Sequence, residues 1–250
     1  DVIIPQMRSA RQGGAAVDVR RRYLPWRTKE ATSLFLSHGK YHSRITTSGA
    51  GESGFGDINI TRESSDMLRE SVGTFFYLYD IAKGKTWSPT FMPTKDDGDK
   101  HAVSASEQAV IFEKTSNNIA TSLLVTPLSS EEGELRELTI TNMSNTKTLL
   151  TFGICAELSL SLGRDESSHP NYERLFVATE THWNNQVIVA SRPDPRDRNR
   201  TMAAGFLLVS DKKIDGLSAV REKEVFYGSP QSKNSPPILH DISRANAFRP

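Results

Sequence analysis

A single cysteine, Cys155, occurs in 250 residues. No disulfide can close within the chain, which fits a reducing compartment. Neither sign of charge prevails: 31 basic residues face 30 acidic ones, for a net charge of +1. A module built to grip nucleic acid carries a basic excess, so that class of partner is excluded. No stretch approaches the ~18–20 consecutive apolar residues that span a bilayer, so no membrane contact is expected of this chain. Helical periodicity is scarce, and internal repeats and low-complexity tracts are lacking. The start, Asp1-Val-Ile-Ile-Pro5, has no initiator Met and no signal-peptide pattern. The end, over residues 245–250, has no terminating pattern. The expectation is an excised fragment of a longer protein.

What is present is a polar globular composition, 36% hydrophobic and 24% charged, with a period of two. That length suffices for one large all-β domain or two small ones. Residues 1–30 are polar and Arg-rich and read as a linker or arm docking through Tyr23, Leu24 and Trp26. From residue 31 to 250 the pattern is that of strands. Leu34 and Leu36 alternate with Phe35. Phe75, Tyr77 and Tyr79 share one strand face while Phe76 and Leu78 share the other, which suits a strand covered by two layers. Residues 137–152 read as a hairpin turning at Asn142-Met-Ser-Asn145, with Leu150, Phe152 and Ile154 on one face of the return strand. Further strands are expected near 43–47, 85–88, 108–114, 119–126, 174–181, 185–190, 203–210 and 222–227. One short helix fits 64–70. Many strands with turn signals between them imply an all-β fold, a large antiparallel sandwich or a barrel with at most one or two short helices.

Gly49-Ala-Gly51-Glu-Ser-Gly54 matches G-x-G-x-x-G, but Phe55-Gly56-Asp57 leads into the strand-like Ile58-Asn-Ile-Thr61. Without a following helix N-terminus there is no dinucleotide site. The stretch reads instead as a flexible glycine loop, or as a loop over a sugar, since glycine lets backbone approach a ligand. His38 and His42 on extended chain would lie ~13 Å apart, too far for one metal. The other histidines are isolated, so no metal site and no cofactor are expected. Asp165 and Glu166 are the carboxylates to weigh for glycoside hydrolysis. Adjacent residues do not establish the ~5–9.5 Å separation that chemistry needs, and solvated loop charge is the simpler reading. No G-x-S-x-G elbow occurs, and no catalytic residue is assigned. Trp26, Trp87 and Trp183 are weighed as sugar platforms against a core role. Arg192-Pro-Asp-Pro-Arg-Asp-Arg-Asn-Arg200 reads as a solvated connection, with a phosphate clamp as the alternative.

The stretch from Ala156 to Glu180 reads as strand, polar loop closed by His169-Pro170, and strand. It resembles the signature of the N-terminal β-domain of glycoside hydrolase family 94, also called glycosyltransferase family 36. Leu36-Ser-His-Gly-Lys-Tyr41, Asp57-Ile-Asn-Ile-Thr-Arg62, Gly73-Thr-Phe-Phe-Tyr-Leu-Tyr-Asp80, Gly84-Lys-Thr-Trp-Ser88 and Pro93-Thr94 resemble the same family in the same order. His38 departs from the usual Asn, and Glu63-Ser-Ser-Asp66 replaces a W-R-E-D stretch.

The resemblance is strongest to the cyclic β-1,2-glucan synthases of the family and implies a β-supersandwich, truncated toward its C-terminal end. It implies a non-catalytic domain that binds carbohydrate or frames the cleft of a following (α/α)6 barrel. The alternative is a purely structural scaffold and dimerisation domain of the same enzyme. The implied parent is a glycosyltransferase or phosphorylase. The partners implied are a β-glucan oligosaccharide or polysaccharide, the barrel and a second copy. The location implied is the cytoplasm or the cytoplasmic face of the inner membrane through the parent. The residues implied for carbohydrate are Trp87, Tyr77, Arg62, Phe55 and His169.

Overall fold

The computed structural model describes residues 21–23, 31–63, 72–169, 172, 174–182, 186–197, 199–211, 219–220, 226–227, 229 and 233–240. The short helix expected at 64–70 and most of the strand expected at 222–227 lie outside these residues. So do Leu24, Trp26 and Trp183.

Period-two segments become strands, and every pairing among them is antiparallel. Of the described residues, 52% are strand, which makes the fold all-β. In chain order the strands are β1 Arg21–Tyr23, β2 Ser33–His38, β3 Tyr41–Thr46, β4 Gly51–Phe55, β5 Ile58–Thr61, β6 Thr74–Asp80, β7 Lys85–Trp87 and β8 Lys100–Ala105. They continue with β9 Val110–Ser116, β10 Ile119–Pro127, β11 Glu134–Asn142, β12 Leu150–Ala156, β13 Leu158–Leu162, β14 Ala178–His182, β15 Val187–Pro193 and β16 Thr201–Leu207. They form four sheets: β1-β8-β9-β10-β11, β13-β5-β4-β3-β2, β12-β6-β7 and β14-β15-β16. A short helix α1, Gly163–Ser168, follows β13. β1 lies inside the stretch read as a docking arm and attaches by edge pairing, Arg21 opposite Ala105 and Tyr23 opposite Val103.

Alternation decides what is buried. On β2, Leu36 is buried while Phe35 is 73% exposed. β6 is apolar on both faces because both are covered. Phe76 joins Leu36, Ile45, Val103, Phe112 and Leu123 in one core. Phe75 and Tyr77 join Met92, Tyr227, Ile238 and Leu239 in another. Each fully buried Leu, Val or Phe contributes roughly 1.5–3 kcal/mol, so the first core fixes three sheets against one another, while the second packs Met92, Tyr227, Ile238 and Leu239 onto β6. A third core, around Leu160, Ala190 and Met202, joins β13 to the fourth sheet.

Three expectations are corrected. Residues 137–152 do not form a hairpin: β11 pairs with β10, and β12 pairs with β6 in another sheet. The Asn142 turn exists, with its Nδ2 donating to the Thr146 carbonyl at 2.7 Å, but it carries the chain between sheets. β11 and β12 are edge strands, and Ile140, Phe152 and Ile154 on them are exposed. Period-two patterning shows which face is apolar but not which strand it pairs with.

The glycine stretch is not a flexible loop. Gly51 opens β4, and Gly49 sits in the β3–β4 turn at φ +95°. A Cβ on Gly51 would lie 1.9 Å from the Arg44 carbonyl oxygen, and one on Gly49 would lie 2.4 Å from the Thr90 Cβ. These glycines permit close backbone and side-chain contact within the fold.

His38 and His42 do not lie along one extended strand. They flank a hairpin turn, with His38 opposite Tyr41 and His42 opposite Ser37, and therefore project to opposite faces.

Candidate functional site: the shelf after the β13 bulge

The Ala156–Glu180 signature builds a local device from its backbone outward. β13 pairs with β5 through Leu158 opposite Thr61 and Ser161 opposite Asn59, so the register slips between those pairs. The slip is a bulge, and Leu160 takes φ +49°. A β-branched or bulky residue adopts that region only when its surroundings hold it there. Two contacts hold it. The Leu160 side chain is buried in the third core, and the Nη1 of buried Arg192 on β15 donates to the Leu160 carbonyl at 3.1 Å. Arg192 is therefore a core fastener rather than part of a solvated connection. Bulges re-aim the chain that follows them, and here the chain turns into α1.

Helix α1 is held by its two carboxylates. Glu166 is only 4% exposed. It accepts Asn59 Nδ2 at 2.9 Å and the Glu63 backbone N–H at 3.3 Å, tying the helix to β5. Asp165 accepts Arg196 Nη2 at 2.7 Å. Both sit in the first turn, where the helix dipole favours negative charge. Neither carboxylate is free for acid–base work in this arrangement. Their role is to position the helix. The Gly163 N–H donates to the Asp57 carbonyl at 3.3 Å, fastening the helix start to the β4–β5 turn.

Beyond α1 the chain presents an apolar and aromatic surface. The His169 N–H donates to the Asp165 carbonyl, closing the helix, and the Tyr172 N–H donates to the His169 carbonyl at 3.1 Å. A single 3₁₀ turn, Arg174–Phe176, follows. Tyr172 is 59% exposed, Leu175 76% and Phe176 44%. The Tyr172 and Phe176 rings meet edge-on with centroids 5.0 Å apart. Val177 then returns to the core. Exposed His169 adjoins this shelf, and the side chains of Arg164 and Arg196, 74% and 50% exposed, meet Asp165 on α1.

The residues implied for carbohydrate fall in different places. His169 stands on the shelf. Phe55 is half-buried at the end of β4, with Lys40 Nζ 5.9 Å from its ring centroid, beside the turn that anchors α1. Arg62 lies at the far end of β5, where it pairs with Glu157 at 3.1 Å. Trp87 and Tyr77 are 1% and 0% exposed. Trp87 packs against Leu78 and Ile119. The Tyr77 hydroxyl donates to the Lys233 carbonyl at 3.1 Å, and burial pushes its pKa well above the ordinary tyrosine value. In this arrangement neither ring offers a face to a ligand. Both residues belong to the core because β6 and β7 are covered by packed layers.

Sequence reading passed over Tyr172, Leu175 and Phe176. The signal was available: three large apolar side chains in five residues, within a segment otherwise read as polar loop and strand. Among the described residues, no group of three or more His, Cys, Asp or Glu side chains is placed to hold a metal ion, and no helix is long and apolar enough to cross a membrane.

Comparison with known proteins decides the family. The family model described as "Glycosyl hydrolase 94, supersandwich domain" matches residues 19–247. The chain belongs to that family. Within this supersandwich domain the match spans all four sheets, including β1 and the shelf. Among curated proteins, the chain is similar to the "Cyclic beta-(1,2)-glucan synthase NdvB" of Rhizobium meliloti (strain 1021), at 26% identity over 164 residues. That alignment covers 66% of this chain and 6% of the relative. The supersandwich domain thus corresponds to a small part of that protein.

Proposed function

We infer that this supersandwich domain is the non-catalytic, carbohydrate-contacting part of a β-glucan synthase or phosphorylase, framing the substrate cleft of a following (α/α)6 barrel. The Tyr172–Phe176 shelf carries this reading. An aromatic ring packs against the apolar CH face of a pyranose, while neighbouring polar groups satisfy its hydroxyls. The shelf supplies two rings with His169 beside them, on a loop anchored by a bulge, a buried arginine and a buried carboxylate. A contact surface fixed in this way loses little entropy when it meets a ligand. The curated relative's name points to β-1,2-glucan as the glycan. The parent enzyme then works in the cytoplasm or at the cytoplasmic face of the inner membrane.

The test is affinity electrophoresis in gels containing β-1,2-glucan, comparing the chain with Tyr172→Ala/Phe176→Ala. Retardation of the parent chain and its loss in the variant is the expected result. Equal mobility of the two in loaded gels would overturn the shelf's role. Turnover of β-1,2-glucan by the chain alone would overturn the non-catalytic reading.

The scaffold and dimerisation reading is favoured by a different observation, the exposed Ile140 on edge strand β11 and the exposed Phe152 and Ile154 on β12, an edge strand of another sheet. Sedimentation velocity on the chain and on Ile154→Asp measures it. A dimer lost in the variant supports that reading, and a monomer at high concentration removes it.

A further inference from the structure

The sheet β1-β8-β9-β10-β11 has an inner face committed to the core and an outer face with an open hollow of about 360 Å³. That size lies within the range of small-ligand sites. The registers show what lines it. One cross-strand row runs Lys100, Thr115, Ala120, Thr141, and the next runs Ala102, Glu113, Ser122, Thr139. Four strands at ~4.8 Å spacing make each row roughly 14 Å long. The floor is made shallow by Ala102 and Ala120, and hydroxyls from three strands stand around it.

Among the described residues, the hydroxyls of Thr115, Ser122, Thr139 and Thr141 engage no other group, and Lys100 and Glu113 form no ion pair. The exposed side chains therefore offer donors and acceptors with one cation, Lys100, and one carboxylate, Glu113, while His101 and Lys114 of the lining are buried, Lys114 in its pair with Asp96. A phosphate or polyanion is disfavoured by Glu113, and a cationic ligand by Lys100. An apolar peptide would bury the hydroxyls without partners, which is unfavourable for each one. An uncharged polyhydroxylated chain satisfies all of them.

We propose that this hollow is a second glycan site, which holds a stretch of neutral glucan across β8–β11, apart from the shelf. The choice of glucan rests on the reading under Proposed function. The existence of a polyol site there rests on the hollow alone. With two sites, the domain retains a long glucan at one place while another part of it lies at the cleft.

The test is an amide-resolved NMR titration of the chain with β-1,2-gluco-oligosaccharides, repeated on Ala120→Phe and on Tyr172→Ala. Phenylalanine suits an outward strand position and fills the hollow's floor. The expected result is saturable shifts at Thr115, Ser122, Thr139 and Thr141. Ala120→Phe should weaken that response at least ten-fold, and Tyr172→Ala should leave it unchanged. Shifts confined to residues 163–182 would overturn the second site and leave the shelf standing. Shifts at the hollow with none at the shelf would support the site and overturn the shelf. No shifts in the folded chain would overturn both.

Discussion

His101 is expected to make the domain lose stability in a defined acid window. It lies on the inner face of β8 and is 6% exposed. Lys114 stands opposite it in register on β9, and Asp96 pairs with that lysine at 3.2 Å. Burial, and then the Lys114 charge, push the His101 pKa down from 6.5 to about 4, while Asp96 opposes the shift. The folded value is depressed, so above pH 6.5 the imidazole is neutral in both states and exerts no pH effect. Below 6.5 the unfolded chain gains a proton that the folded chain refuses. Stability is therefore lost as pH falls from about 6.5 toward 4. One pH unit in that window costs about 1.4 kcal/mol, so a drop to pH 5 costs about 2 kcal/mol. For a chain of this size that lowers Tm by about 4–8 °C. Urea unfolding at pH 7.5 and pH 5.0 measures it on the chain and on His101→Gln, which cannot titrate. The variant should lose about 2 kcal/mol less than the parent between the two pH values, because other groups titrate equally in both. Equal losses, within about 0.5 kcal/mol, would refute the depressed pKa.

Other outcomes follow from the same packing. Lys114→Met removes a buried cation that donates to the Thr90 and Asp96 carbonyls and pairs with the Asp96 carboxylate. It should cost about 2–4 kcal/mol in urea unfolding. Gly51→Ala drives a Cβ into the Arg44 carbonyl at a φ of +152° and should cost about 3 kcal/mol or more, read as a lowered Tm or loss of soluble protein. Glu166→Ala removes the acceptor of the Glu63 N–H and one of the two acceptors of the Asn59 amide and should cost about 2 kcal/mol, whereas Glu166→Gln, with one acceptor oxygen for two donors, should recover only about half of that in the same assay. Tyr172→Ala should change stability by no more than about 0.5 kcal/mol, because the ring is mostly exposed.

Local patterning made much of the fold legible. The two-sided apolar run on β6 announced a strand between layers, and Asn117-Asn118 marked the β9–β10 hairpin, where both residues adopt positive φ. Pairing between distant strands was not legible. The β11–β12 stretch looked like a hairpin because local alternation cannot distinguish a turn within a sheet from a crossing between sheets. The burial of Trp87 was not legible for a related reason, since an aromatic on a strand edge and one beneath a second layer have the same sequence pattern, whereas the two-sided run on β6 already placed Tyr77 between layers. The bulge at Leu160 left no trace in the sequence, since its positive φ is imposed by Arg192 and the core rather than by glycine. The shelf was half legible. His169 was singled out, while Tyr172 and Phe176 lay within a segment read as ordinary loop and strand.

The most direct measurement is a titration of the isotopically labelled chain with β-1,2-gluco-oligosaccharides, with cello-oligosaccharides as the control. The account predicts saturable, linkage-selective shifts at His169, Tyr172 and Phe176, separate from those expected at the β8–β11 hollow. No response at those residues up to high ligand concentration, or an equal response to both sugars, would contradict it.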